Sequence, residues 1–363
     1  MLLMKFSKNK STRTTLRDGV PRTSTGTMEL ALACGLMVCL WTSETAAATC
    51  PSYPPVLNLG GTVVYSDSKG SQVDKTAESR NNDAQAPVID FLKYELTSIE
   101  GAPAWNKIEN LSADCANTLL AEWAEAGALG TTLEADGSFS HQGGINRQIL
   151  MRSLAIVALK LQQSGKILGP RVVPWLGHFV HENNASWRKN TLRSNLYYWA
   201  GATSAIYAIL SKDKDALDFQ NETWSYAMSA IRDDGYLDSE LVRGTRALVY
   251  HAYALSALLT LREARQAIGL PSLNAEHAQL KRLADRIGAA LCHPEAMSTL
   301  ADVGQQEMPG EWGYREIEAF GTDLLSPDWK NCGVTVKNFF DINNGGDQQK
   351  NITIFLPKNL ADH

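Results

Sequence analysis

Residues 195–210 read Asn-Leu-Tyr-Tyr-Trp-Ala-Gly-Ala-Thr-Ser-Ala-Ile-Tyr-Ala-Ile-Leu, and their pattern is typical of a buried helix. The apolar residues of this stretch recur three and four positions apart, which is the spacing of one face of an α-helix. Similar runs lie at 149–161, 172–180, 224–231, 241–264 and 280–291, whereas strand-like alternation is confined to short stretches such as 61–65. The sequence therefore predicts an all-α fold of helical hairpins. The period does not distinguish a straight bundle from a closed toroid.

The segments between these runs carry residues that end helices or form turns. They are Gly165-Lys166, the charged run 212–215, Asp233-Asp234-Gly235 and Gly269-Leu270-Pro271. Asp233, Asp234 and Glu240 also form an acidic cluster, as a toroidal glycoside hydrolase with paired carboxylates would require. The Asp-Asp-Gly order favours a turn over a catalytic pair.

Composition and charge restrict the class of protein. The chain has 363 residues, of which 44% are hydrophobic, and no Pro/Gly/Ser-rich linker divides its body, so we expect one large domain. There are 34 Lys and Arg against 39 Asp and Glu, which makes the formal net charge −5, and no long basic block. Nucleic acid is not an expected partner, because neutralising phosphates needs many cations.

The first 48 residues have the order of a Sec-type signal peptide. A basic, Ser/Thr-rich segment precedes an apolar stretch from Leu30 to Trp41 and the small residues Ala46-Ala47-Ala48. The apolar stretch is shorter than the roughly 20 residues that span a bilayer. We expect cleavage near Ala48, a periplasmic or secreted protein without a membrane span, and a mature domain over 49–363. Met28 is an alternative start.

Four cysteines remain after such a cleavage, and an even number in an exported protein suggests disulfides. The most plausible pairing joins Cys50 to Cys115 and Cys292 to Cys332, although four cysteines allow three pairings. The alternative is four buried free thiols. No cysteine or histidine spacing typical of a zinc site is present, and we expect no metal.

Two segments carry candidate site residues. In the first, Asn195, Tyr198 and Trp199 fall on adjoining parts of one helix face. An amide there can donate to a carboxylate, and the rings can stack on a sugar. The alternative is that the rings are core residues, which is the better interpretation for any single ring.

In the second segment, Arg243, Arg246 and Tyr250 share one helix face at i, i+3 and i+7. Two cations beside a phenol are expected to lower its pKa and to favour a tyrosine that acts as acid or base. The alternative is a structural pair of arginines bound to Glu240 or Asp238.

Two further features are less specific. Trp312 and Tyr314 can form a sugar-stacking platform or a buried C-terminal cluster. The polar stretch 62–80 can be a mobile loop over a cleft or a surface linker, and its composition favours the linker.

These residues belong to a pattern that covers most of the mature chain. It includes Asn195, Tyr198, Trp199 and Ala200, the stretch from Asp234 through Glu240, Arg243, Arg246, Tyr250 and His251 to Leu255, Cys115 with 123–125 and 127–129, and 337–339 with 345–347. The pattern resembles the alginate lyases of polysaccharide lyase family 5. The resemblance implies an incomplete α/α toroid in the periplasm that cleaves polymannuronate by β-elimination, without a metal or other cofactor.

The resemblance also implies roles for single residues. Asn195 and Arg243 would neutralise the C6 carboxylate of a uronate, which makes the C5 proton acidic enough to remove. Tyr250 would protonate the departing O4 and can also serve as the base. Arg246, Tyr198, Trp199, His251, Trp312 and Tyr314 are the expected substrate-binding residues. We expect a monomer that acts on an acidic polysaccharide.

Two departures from the family pattern affect these expectations. Where the family motif has a catalytic histidine, this sequence has Leu196. Either Tyr250 performs all proton transfer, or His251, His178 or His181 enters the site, or the protein only binds polymer as an accessory of exopolysaccharide export. His251 is the obvious substitute by position, but a structural role is favoured for it. The family's Ser-Lys-Tyr-Glu-Gly-Ser-Asp lid corresponds to 66–72, in which the lysine and tyrosine have moved or gone. Together these changes suggest a substrate other than plain polymannuronate, such as a glucuronate-containing exopolysaccharide.

Overall fold

A computed structural model describes residues 50–101, 111–134, 136–305, 309, 311–324 and 336–356. The predicted signal peptide and Cys332 lie outside these residues, so their assignments stay predictions. The described residues from Cys50 onward belong to one compact unit. Within the described part of the chain, no helix is both long and apolar enough to cross a membrane.

Helix α5, Asn195–Ser211, is the central element of the fold. It is buried on nearly all sides, as expected for a helix that is apolar around its whole circumference. It packs against α3 (His141–Gln163), α4 (Val172–Lys189), α6 (Lys214–Ala230) and α8 (Ala247–Ala267). Close approach to α6 requires Gly201, since a Cβ there would lie 2.4 Å from Cγ2 of Thr223.

The remaining helices complete two curved layers. The inner layer runs α1 (Lys75–Glu100), α3, α5, α8 and α11 (Trp312–Phe320), and each helix packs on the next. The outer layer runs α2 (Ala113–Glu125), α4, α6 and α9 (Asn274–Cys292) in the same way. Inner and outer helices alternate along most of the chain. This is the arrangement of an α/α toroid, and it confirms the predicted all-α class.

Short elements join and close these layers. They are α7 (Asp238–Leu241), a 3-10 turn at Gly244–Arg246, α10 (Pro294–Leu300), a hairpin of β1 (Phe340–Asp341) and β2 (Gly346–Asp347), and α12 (Gln348–Phe355). The hairpin is antiparallel, with Phe340 opposite Asp347. Buried Lys160 on α3 pairs with Glu100 of α1 and donates to the Gly345 carbonyl oxygen at 2.7 Å. These contacts attach the C-terminal hairpin to both helices.

A disulfide and backbone pairing hold the N-terminal segment in place. Cys50 is bonded to Cys115 on α2, as predicted. Cys292 is also disulfide-bonded, and Cys332, its expected partner, lies outside the described residues. Asn58 forms a parallel bridge with Thr131. The strand-like stretch 61–65 contributes only the bridge between Tyr65 and Val73.

The predicted helical runs are confirmed with one exception. The run 241–264 is not one helix, because α7 ends at Leu241 and α8 begins at Ala247. Gly244 lies between them with a φ of +56°, a left-handed conformation that a continuous α-helix does not contain. Arg243 and Arg246 therefore sit in the connection and not on a helix face with Tyr250.

Candidate active site

A groove of about 780 Å³ lies between the first half of α3, the second half of α4, the start of α5 and the turn after α7. Four of the side chains that line it are cationic, namely Lys69, Arg147, Arg193 and Arg243, while Glu182 is the one carboxylate among the described lining residues. Glu182 is paired with Arg147 at 2.7 Å. The groove is thus positively charged, although the chain as a whole is acidic.

Arg243 connects this groove to Tyr250. Its guanidinium carbon lies 4.7 Å from the centroid of the Tyr250 ring, and Nη1 donates to the Lys69 carbonyl oxygen at 3.2 Å. Arg246 is buried on the same side, 5.8 Å from that centroid. Both arginines therefore lie close to the Tyr250 ring because of the path of the connection between α7 and α8. They do not share a helix face with Tyr250, as the sequence had predicted.

A strap formed by residues 65–73 covers Tyr250. The hydroxyl of Tyr250 donates to the hydroxyl of Tyr65 at 2.5 Å, and Thr245 donates to the Ser71 carbonyl oxygen at 3.1 Å. Asp67 closes the strap by accepting from the backbone of Ser71 and Gln72 at 2.8 and 2.7 Å. The surface-linker interpretation of 62–80 is wrong, because the strap lies on the site and the rest from Lys75 belongs to α1.

Tyr65 is a site residue that the sequence interpretation missed. It lies one position before the stretch compared with the family lid, so a tyrosine is present at the site although the motif has shifted. Gly70 allows the close contact: its φ is +67°, and a Cβ there would lie 3.0 Å from Nη1 of Arg243. The only local signals were the Tyr65 ring and the Ser-Lys-Gly-Ser turn.

Asn195 and Glu240 form a buried polar pair behind the groove wall. Glu240 is fully buried and accepts from the Asn195 backbone N–H at 2.7 Å, its Nδ2 at 3.1 Å, and the Ser239 hydroxyl at 3.0 Å. Burial raises the pKa of Glu240, and the Asn195 amide and Arg243 oppose this rise. Glu240 therefore links the start of α5 to the connection before α8.

The phenol of Tyr250 is neutral, contrary to the expectation that the arginines favour a phenolate. Its side chain is 9% exposed. Burial and the neighbouring Tyr65 raise its pKa above the usual value, and they outweigh Arg243 and Arg246, which lower it. The strapped site thus holds Tyr250 as a proton donor.

Several predicted substrate contacts are wrong because the side chains are buried. Tyr198 and His251 have no exposed surface, and Tyr314 is 3% exposed. The face of Trp199 is covered by Arg152, whose guanidinium carbon is 3.7 Å from its ring centroid, and its indole N–H donates to the Tyr253 carbonyl oxygen. These residues support the inner helices.

His251 has a clear structural role. Its Nε2 accepts from the Leu237 N–H at 3.0 Å, and Nδ1 donates to the Ala247 carbonyl oxygen at 2.8 Å. Burial lowers its pKa to about 4. The imidazole is therefore neutral and ties the turn before α7 to α8.

Trp312 remains partly exposed and stacks on Tyr253 with 4.7 Å between ring centroids. Tyr253 in turn meets the edge of Tyr250 at 6.0 Å. The structure thus places Trp312 one aromatic ring away from Tyr250, outside the groove described above.

The histidine alternatives are also resolved by position. Exposed His178 lies against Phe179, and neither His178 nor His181 is among the described lining residues of the groove. His181 pairs with Asp213 and forms, with Asp215, a group with the spacing of metal ligands, but Asp213 caps α6 and Asp215 pairs with Arg188. His141 does line the groove, and it was not a candidate by sequence.

Leu196 lines the same groove as Arg243 and contributes no ionisable group. The acidic cluster is not a catalytic pair, because Asp234 caps a turn and pairs with Arg232 while Glu240 is buried. Asp238 likewise pairs with Arg232 at 2.8 Å, so it does not hold the two arginines beside Tyr250.

The helices thus form an α/α toroid with a positively charged groove next to Tyr250. The family model for alginate lyases matches residues 59–296. This chain belongs to the alginate lyase family, and its relatives show it to be a polysaccharide lyase.

The relatives support the same assignment. A polysaccharide lyase of Stenotrophomonas maltophilia (strain K279a) is 30% identical over 264 residues, which cover 72% of this chain and 78% of the relative. An alginate lyase of Pseudomonas syringae pv. tomato is 28% identical over 198 residues, which span half of that relative. Alginate lyase A1-III complexed with a tetrasaccharide, as a histidine-to-alanine variant, matches the fold with a TM-score of 0.64 at 20% identity, over 85% of each chain.

Proposed function

We propose that this lyase cleaves an acidic, uronate-containing polysaccharide by β-elimination. The observation that carries the proposal is the contact between Arg243, which lines the groove, and the ring of Tyr250 beside it, since this contact combines a cation for the uronate carboxylate with a phenol for proton transfer. The substrate is alginate or polymannuronate, or a glucuronate-containing exopolysaccharide. The names of the relatives support the first choice, and Leu196 in the groove wall supports the second.

Electrostatics support an anionic polymer as the substrate. The four cations of the groove attract carboxylates, while the acidic remainder of the surface repels them. A chain that carries one carboxylate on each sugar is therefore drawn to the groove and away from other faces. A neutral glycan gains nothing from this distribution of charge.

The chemistry of the proposal follows from two groups. Arg243 neutralises the uronate carboxylate, so that loss of the C5 proton leaves a stabilised enolate-like intermediate. Tyr250 is protonated beneath the strap and must first lose that proton to solvent, a step that Arg243 and Arg246 favour. The phenolate then accepts the C5 proton and returns the same proton to O4 as the C4–O4 bond breaks.

Asn195 contributes to this step through its position. Its amide is held by Glu240, directly behind the groove residues Ser194 and Leu196. In the proposal it supplies a neutral donor on the side of Arg243. The strap must move before substrate reaches Tyr250, because the Tyr250 hydroxyl is hydrogen-bonded to the hydroxyl of Tyr65.

The proposal includes export to the periplasm or medium, which the signal-like first 48 residues support. It also includes action as a monomer. Edman sequencing of secreted protein, with an N-terminus near residue 49 as the expected result, tests the first point, and light scattering of the purified protein tests the second.

A panel of polyuronates incubated with the mature protein tests the reaction. We expect one or more polymers to yield products with an unsaturated uronate end, which is seen as a rise in ultraviolet absorbance. The masses of the products should add up to the mass of the uncleaved chain, with no added water. Products that carry an added water would show hydrolysis instead of elimination. Absence of any new chain ends would contradict the proposal.

Leu196 favours a second candidate, a catalytically weakened protein that binds polysaccharide for export. It places an alkyl side chain where the resemblance implies a catalytic histidine. Saturable oligouronate binding without new chain ends would identify this function. Leu196→His should raise activity on polymannuronate about tenfold if the missing imidazole restricts the substrate range. No gain would mean that Leu196 alone does not explain the difference.

A further inference from the structure

Arg193 is a groove cation that two aromatic rings hold in place and that has no anionic partner among the described residues. Its guanidinium carbon lies 4.6 Å from the ring centroid of Tyr197 on α5 and 4.7 Å from that of Tyr226 on α6. Those two rings meet edge to face at 5.6 Å. Within the described residues, Arg193 forms neither a hydrogen bond nor an ion pair, although it is half-buried.

The other cations of the groove differ from Arg193. Arg147 is neutralised by Glu182 at 2.7 Å and also donates to the Leu129 carbonyl oxygen. Arg243 donates to the strap and lies over Tyr250. Lys69 is exposed, and its flexible chain is not fixed by any aromatic ring among the described residues.

A guanidinium held between aromatic rings is preorganised to bind an anion. Because the rings restrict the side chain, little rotational freedom is lost when an acidic ligand arrives. The planar N–H donors remain available, and their spacing fits both oxygens of a carboxylate. Arg193 lines the same groove as Arg243. Ser194 and Leu196, which follow Arg193 in the sequence, line this groove as well.

We propose that Arg193 is a second carboxylate subsite, which binds a uronate other than the one held at Arg243. This inference rests on the proposed function and narrows its substrate to polymers with carboxylates on more than one sugar within the groove. Arg193 takes no part in bond breaking. It therefore acts on substrate affinity and not on the chemical step.

Oligouronates of increasing length, prepared by partial acid hydrolysis of each polyuronate in the panel, test this subsite. We compare Arg193→Gln and Arg193→Lys with Arg171→Gln, which removes the same charge from an exposed side chain 3.8 Å from Glu125 and outside the groove. The shortest substrate should show equal KM for all variants. Once the chain reaches Arg193, KM should rise about tenfold in Arg193→Gln and about threefold in Arg193→Lys, with kcat nearly unchanged.

Equal KM for Arg193→Gln and Arg171→Gln at every length would overturn the subsite. So would a loss that is independent of length and accompanied by a lower melting temperature, since that pattern means Arg193 only supports Tyr197 and Tyr226. If the wild-type protein cleaves no polyuronate, the proposed reaction fails by itself. Calorimetric titration with the same oligouronates then still decides the subsite, and equal Kd values for wild type and Arg193→Gln would reject it.

Discussion

The start of α5 and the connection into α8 carry similar residues but have different environments. Tyr197, Tyr198 and Trp199 follow Asn195 on α5, and all three rings are buried between helices. Arg243 instead lines the groove, and Tyr250 lies next to it beneath the strap. Polar and aromatic side chains occur in both regions, but the packing of the neighbouring elements decides which of them lie near the groove.

Replacing Tyr250 by phenylalanine should have the largest effect on activity. The ring is kept, but the phenol hydroxyl that carries the proton is lost, so kcat should fall about a thousandfold. Oligouronate binding should stay within about threefold of wild type, because Arg243 and Arg193 remain. Initial rates and calorimetric titration measure the two effects, and a fully active variant would remove Tyr250 from the mechanism.

Glu240→Gln tests the link between the two regions. The amide can accept at only one of its two positions, so one donor of Asn195 or Ser239 loses its partner. We expect kcat/KM to fall about tenfold and the unfolding free energy to fall by about 2 kcal/mol.

Asp238→Asn is the matched control for Glu240→Gln. It makes the same chemical change two residues away on an exposed side chain that pairs with Arg232. Its kcat/KM should equal that of wild type. Equal loss in both variants would show that the buried pair has no special part in the site.

The free energy of unfolding should depend on pH through His251 on α8. Its pKa in the folded protein is about 4, below the ordinary value of about 6.5, so folding favours the neutral imidazole. This contribution is complete above about pH 6.5 and is lost as the pH falls toward 4, since the unfolded chain takes up the proton first.

The loss at His251 amounts to about 3 kcal/mol at the low end of this range. Denaturant titrations at neutral pH and near pH 4.5 should show it as a fall in the unfolding free energy of the wild-type protein. In His251→Gln the fall should be smaller by that amount, although the variant is less stable at neutral pH. An unchanged pH dependence would assign the acid sensitivity to other groups.

Tyr198→Phe should have the smallest effect. Its hydroxyl belongs to a ring with no exposed surface, so substrate does not touch it, and kcat/KM should stay within about twofold of wild type. A large rise in KM with unchanged kcat would show instead that substrate contacts Tyr198. The start of α5 would then bind substrate, as is proposed for the region around Arg243.

Part of the site was accessible from the sequence. The motif around Arg243, Arg246 and Tyr250 identified the residues that the structure brings together, although the helix face assumed for them was wrong at Gly244. The motif around Asn195 identified a polar residue of the site but attributed substrate contact to rings of the core. Tyr65 was missed because its partner lies 185 positions away and no local period connects them.

The residue pattern alone was enough to predict the period of six long helices and turns between them, and it favoured the Cys50–Cys115 disulfide among the possible pairings. These features depend on residues three or four apart, on single turn-forming residues, and on the few pairings that four cysteines allow. Three features became known only from the folded chain: the strap covers Tyr250, the Tyr198 side chain is fully buried, and Arg193 lies between two aromatic rings. Those outcomes depend on which helices and loops pack together, and contacts between distant segments leave no periodic pattern in the chain.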